Sequence, residues 1–168
     1  MTAASSPTRE VVVRPTGWSD PVGAALRTAM RAEIDPRYAD RAASFPPPPG
    51  MDVDPADVVA VLLAELDGRA VGPVAVRRLG DDLEVKRMYV RPEVRGRGVG
   101  SALLAAAEAA VVVAGGHRVV LQTGDRQPEA HATYERAGYT RIPIFEPYTA
   151  LPFSRCYAKD LTTPAVRP

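Results

Sequence analysis

One cysteine and two histidines are all that 168 residues offer of the side chains that most often staple a fold or hold a transition metal. Cys156 alone excludes an internal disulfide, and His117 and His131 stand too far apart for the usual metal-ligand spacings, so no metal is expected. An excess of one charge is also missing. Lys and Arg number 21 against 20 Asp and Glu, which gives no reason to expect nucleic acid or an anionic membrane as partner. No apolar run approaches the roughly 20 residues that span a bilayer, and the first residues lack a basic segment ahead of an apolar core. These absences predict a cytoplasmic protein. What is present in ordinary amount is apolar: 46% hydrophobic residues can bury one core, and the length fits one domain.

Periodicity and turn residues divide the chain. Glu10 to Arg14 reads as a first strand broken by Pro15-Thr16-Gly17. Asp20-Pro21 caps a helix over 21–35, with Leu26, Met30 and Ile34 repeating every four residues. From Pro36 to Asp54 no element is predicted, and Pro46 to Pro49 reads as an exposed extended loop, a candidate lid. Val58 to Leu66 and Arg69 to Arg78 form a hairpin on Asp67-Gly68, and Leu79 to Asp82 turns into a third strand, Leu83 to Val90. A helix over 99–114 carries the stripe Val99, Leu103, Ala107, Val111 and Ala114 and ends at Gly115-Gly116. Strand Arg118 to Gln122, a helix from Pro128 to Gly138, and strands Tyr139 to Glu146 and Phe153 to Asp160 complete the pattern. The expectation is an α+β class fold: a single domain over 9–161 with a central mixed, mostly antiparallel sheet flanked by helices. Segments 1–8 and 162–168 read as flexible tails.

The most informative stretch is Arg95-Gly96-Arg97-Gly98-Val99-Gly100, between the third strand and the Ala-rich helix. Glycines let backbone N–H groups turn inward, and a helix start adds unpaired donors and partial positive charge, which suits an anion such as phosphate. A Walker loop would end in Gly-Lys-Ser/Thr, and the dinucleotide fingerprint needs its third glycine one place later, so neither applies. With the pattern Arg/Gln-x-x-Gly-x-Gly/Ala after a strand, the chain resembles the GNAT family of N-acetyltransferases. A second block, Gln127 to Tyr139, matches the family's Asn-x-x-Ala-x-x-x-Tyr-x-x-x-Gly-Phe/Tyr segment, and Leu121 to Ala130, Ile142-Pro143 and Pro147-Tyr148 resemble a bacterial branch. The resemblance is strong from about Leu83 to Leu161 and faint before it.

The resemblance implies acetyl-CoA as acyl donor, with Arg95, Gly96, Arg97, Gly98, Val99 and Gly100 around its pyrophosphate and Met88, Tyr89 and Val90 along its pantetheine arm. Gln127 stands where the family usually has asparagine. Tyr134 resembles the tyrosine beside the sulfur, and a phenol can donate to a leaving thiolate. Glu84 is the nearest candidate for the base, and a backbone N–H of Met88, Tyr89 or Val90 for the oxyanion donor. Lys86 could pair with Glu84 or steer a substrate carboxylate, and Tyr148 could line the acceptor pocket or pack a loop. His131 reads as a helix-surface residue and Cys156 as a small buried side chain. The function expected is acetyl transfer to the primary amine of a small-molecule or amino-acid-like acceptor by direct attack. The alternatives are an inactive acyl-CoA-binding regulatory module and a peptide or protein N-terminal acetyltransferase. Exposed closing strands would permit a homodimer.

Overall fold

The computed structural model describes residues 10–162. Seven strands and three α-helices follow in the order β1 (Val11–Thr16), α1 (Pro21–Ile34), β2 (Val58–Leu66), β3 (Arg69–Leu79), β4 (Asp82–Lys86), α2 (Val99–Val113), β5 (Arg118–Gly124), α3 (Pro128–Arg136), β6 (Thr140–Ile142) and β7 (Ser154–Asp160). They form one sheet in the order β1-β2-β3-β4-β5-β7-β6. Only β4 and β5 are parallel, joined by the α2 crossover. This is the expected mixed, mostly antiparallel α+β sheet.

Local chemistry accounts for the elements. Asp67 and Gly68 both take positive φ (54° and 74°), as a two-residue hairpin between right-twisted strands requires. Asp20 accepts from the Val22 N–H at 2.8 Å and so caps α1. The α2 stripe is buried at Val99, Leu103, Leu104, Ala107 and Val111, each large member worth about 1.5–3 kcal/mol. It packs on one face of the sheet together with Tyr134, Tyr139 and Tyr157. Leu26 of α1 and Leu63 of β2, both fully buried, lie outside that cluster. Gly23 of α1 faces Leu63, so α1 covers the opposite face.

The structure departs most clearly from the sequence reading in four places. β1 runs on through Pro15 and Thr16, because an edge strand tolerates a missing N–H. The third strand stops at Lys86, where Arg87 (φ 56°) turns the chain out of the ladder. The strand expected over Tyr139 to Glu146 keeps only Thr140–Ile142, since Pro143 cannot donate to the ladder. The stretch after Pro36 is built rather than loose. A 3₁₀ turn, Asp35–Arg41, is tied down by Arg37 to Glu129, by Arg41 to Asp125 and by Asp40 to Arg126. Pro46 to Pro48 have no regular structure, as expected. The predicted tails fall outside the described residues, apart from Thr162, whose N–H donates to Asp160.

Candidate active site

Gly96 and Gly98 sit at φ 78° and 82°, the left-handed region that favours glycine, and so curl the loop ahead of α2. The first helical hydrogen bond runs from the Ala102 N–H to the Gly98 carbonyl, leaving the N–H groups of Val99, Gly100 and Ser101 at the helix start without helical partners. They line a cavity of about 310 Å³ between α2 and α3. At Gly100 a Cβ would sit only 3.3 Å from the Thr133 methyl, so α3 comes this close only because the residue is glycine. The donors, the positive end of a 15-residue helix and the lack of side-chain bulk fit a diphosphate. Arg95 is turned across the loop: its Nη2 donates to Glu33 of α1 at 2.8 Å and its Nε to the Val90 carbonyl at 3.0 Å. Arg97 is exposed.

β4 and β5 pair only from Leu83 to Val85, and beyond that they part. Past Arg87, the Tyr89 and Arg91 N–H groups donate back to Pro73 and Val71 of β3 at 3.1 and 2.8 Å. Alternation turns the Met88 and Val90 N–H groups the other way, toward the opened gap. Of the three amides expected as candidate oxyanion donors, Tyr89 is therefore already engaged. A Cβ at Gly72 would collide with the Tyr89 carbonyl, so this glycine permits the close approach of the 88–90 segment.

Tyr134 lies where two cavities meet. The smaller cavity and a larger one of about 870 Å³ share Met30, Ile34, Met88, Gln127 and Tyr134 as lining residues. The Tyr134 phenol is pushed up to about 12, by burial first and then by neighbouring Tyr157. Gln127, at the N-cap of α3, makes no capping bond, which leaves its amide available to the junction.

The larger cavity is walled by side chains from distant segments. Tyr38 stacks on Phe153 at 5.7 Å, Phe45 meets Phe153 edge-on at 5.6 Å, and Arg41 lies over Phe153 at 4.9 Å. The Tyr38 hydroxyl accepts from the Arg126 N–H at 2.9 Å and occupies space that any side chain at Gly124 would take. None of Tyr38, Phe45 and Phe153 was singled out from sequence. They come from the weakest part of the family resemblance and from a short connection, and only the aromatic content of an otherwise polar stretch hinted at them.

Glu84, the candidate base, does not face the cavity. It is fully buried beneath this cavity and does not line it. One carboxylate oxygen accepts from Arg77 Nε at 2.7 Å, the other from the Tyr148 hydroxyl at 2.5 Å, and Lys86 Nζ stands 4.0 Å away. Both oxygens are engaged inside the protein, so the carboxylate presents no atom to the cavity. Tyr148, fully buried, belongs to the same network rather than to the pocket wall. Arg77 was missed, although a two-residue turn at Gly80-Asp81 sets Arg77 directly opposite Glu84. Lys86 does line the cavity. Burial holds its ammonium down to about 8, opposed by Glu84 and reinforced by Arg87 and Arg77. His131 bonds the Gly124 carbonyl through Nε2 at 2.9 Å. Cys156 is fully buried, and burial pushes its thiol up. Among the described residues no group of His, Cys, Asp and Glu could hold a metal, and no helix is long and apolar enough to cross a membrane.

Residues 57–141 match the family model described as "Acetyltransferase (GNAT) domain". A protein of Azospirillum brasilense described as an IAA acetyltransferase is 34% identical over 105 residues, covering 61% of this chain and 69% of that protein. A solved structure from Klebsiella pneumoniae, described as a candidate acyl-CoA N-acyltransferase, is 29% identical with a TM-score of 0.74 and covers 90% of this chain and 98% of its own. A GNAT family acetyltransferase from Elizabethkingia anophelis with acetyl-CoA bound shares the fold, with a TM-score of 0.62 at 14% identity over 90% of this chain and 98% of that one.

Proposed function

Because the chain belongs to the GNAT acetyltransferase family and depends on acetyl-CoA, we propose that its acceptor is the primary amine of a small molecule, acetylated by direct attack. The observation that carries this reading is the junction: a phosphate-type loop cavity and a large aromatic-walled cavity share Met30, Ile34, Met88, Gln127 and Tyr134. A donor held in the first and an amine held in the second meet beside one phenol. The relative described as an IAA acetyltransferase agrees with a small-molecule acceptor.

Bound acetyl-CoA supplies the activated acetyl thioester. The N–H groups of Val99, Gly100 and Ser101 would hold its diphosphate, and Met88, Val90 and Gln127 its pantetheine arm. The Met88 or Val90 N–H is the donor we assign to negative charge developing at the acyl oxygen. Tyr134 keeps its proton at any working pH, and its hydroxyl donates toward the departing sulfur, whose conjugate acid lies near 8.5. The acceptor amine gives up its proton to cavity water, since Glu84 is sealed below. Glu84, Arg77 and Tyr148 are positioning residues that set the cavity floor. An amine panel with thiol release as readout tests the proposal: turnover of small amines is expected, and turnover confined to peptide N-termini would replace it.

A further inference from the structure

The larger cavity is lined by four cations, Arg31, Arg41, Lys86 and Arg87, against one carboxylate, Asp35. Arg41 is held by both oxygens of Asp125, at 2.8 and 3.3 Å, and Arg87 reaches Asp52 at 3.2 Å. Arg31 stands exposed at the rim, one helical turn before Asp35. Lys86 differs from all three, being only 7% exposed. The nearest carboxylate, Glu84, is 4.0 Å away and already taken up by Arg77 and the Tyr148 hydroxyl. Its one hydrogen bond goes to the Tyr148 oxygen at 2.8 Å, leaving the other ammonium donors to the cavity. A buried ammonium without a dedicated anion is costly, so the cavity floor is short of one negative charge.

We propose that the acceptor carries a carboxylate on a bulky apolar or aromatic body, and that this carboxylate docks on the Lys86 ammonium. The inference rests on the small-molecule acetyltransferase reading of the same site. Tyr38, Phe45, Phe153 and Met51 give the body its walls, and a volume of about 870 Å³ leaves room for a ring. A single surplus cation matches a monocarboxylate better than a phosphate ester, which brings about two charges. The groups facing Lys86 are Glu84 and Tyr148, with Arg77, Arg87 and Asp52 around them. Lys86 attracts a carboxylate only as the ammonium, so the preference weakens as pH rises through about 8.

The test uses matched acceptors, aromatic amino acids as free acids and as carboxamides. Each kcat/KM is taken on the neutral-amine form, because amidation lowers the amine's own pKa. Calorimetric binding of the acetylated acid and amide to the protein without acetyl-CoA gives a second readout. Near pH 7 the wild type is expected to favour the acid by roughly 10–150-fold, the size of one hydrogen bond to a charged group. In Lys86→Met the ratio collapses to near one, mainly through KM and in the binding data alike. Equal use of acid and amide by the wild type overturns the inference, as does an equal fall in kcat for both members in Lys86→Met. Should that variant fail to fold, Lys86→Gln carries the same comparison: a collapsed ratio supports Lys86, and an acid preference kept at its wild-type size refutes it. A folded protein that binds acetyl-CoA but acetylates neither member of any pair overturns the underlying small-molecule reading instead.

Discussion

The smaller cavity and the larger one share a border at Tyr134 but are made of different material. The first is backbone: positive-φ glycines, a helix start and an extended segment after β4 whose amides turn outward at Met88 and Val90. The second is side chain: an aromatic wall drawn from two connections distant in sequence, over a buried network of Arg77, Glu84, Tyr148 and Lys86. Backbone recognition suits a ligand that every family member shares, because N–H groups bind phosphate whatever side chains surround them. Side-chain recognition suits the ligand that varies. One substitution in the wall or floor changes shape or charge without disturbing the donor side.

Changes confined to one cavity should leave the other intact, and four experiments test that separation. The largest effect is expected from Gly98→Val, which forces a β-branched residue to φ 82° and turns loop amides away. Losing two or more charge-assisted bonds costs about 3–6 kcal/mol of acetyl-CoA affinity. Calorimetry should show that loss in a protein that still melts cooperatively, and unchanged affinity would remove the loop from the donor site. Next is Glu84→Gln, which leaves the Arg77 guanidinium buried without its carboxylate and removes the negative charge nearest Lys86, and should cost about 3–5 kcal/mol in denaturant unfolding. Its kcat/KM should keep the acidic limb of the wild type, because the buried Glu84 carboxylate is not the proton acceptor in the proposed reaction. Loss of that limb would reinstate it.

At the border, Tyr134→Phe should lower kcat about 100-fold while leaving acetyl-CoA affinity within about twofold. With its phenol at about 12, Tyr134 contributes no basic limb to the wild-type profile below about pH 11. An undiminished kcat would remove Tyr134 from the chemistry. The smallest effect is expected from Gly124→Ala, whose methyl displaces the Tyr38 ring from Phe153. Acceptor KM should rise about tenfold, roughly the loss of one aromatic contact, with acetyl-CoA binding unmoved. A matching loss of acetyl-CoA affinity would show that the two cavities are not separable.

The same division decides what was legible in the sequence. Asp20-Pro21, Asp67-Gly68, Pro128 and the α2 stripe encode their geometry within a few residues, and each element formed where local chemistry required it. The loop from Arg95 to Gly100 was equally readable, because a left-handed turn before a helix demands glycine. The surroundings of Glu84 are the opposite case. The Gly80-Asp81 turn sets Arg77 opposite it, but nothing local reveals that Tyr148 closes over it from 64 residues away. Tyr38 and Phe45 were missed likewise, since Pro46 to Pro49 made their surroundings look like plain loop, and Phe153 read only as the start of a strand.

By itself the sequence determined the class of fold and the glycine turn ahead of α2, because strand alternation, helix caps and glycine torsions act over a handful of neighbouring residues. Only the tertiary structure decided that Glu84 is sealed while Lys86 faces the cavity, and that three separated aromatic rings form one wall. Burial and ion pairing depend on which distant side chains arrive at the same place, and that is settled by the packed sheet rather than by any one segment.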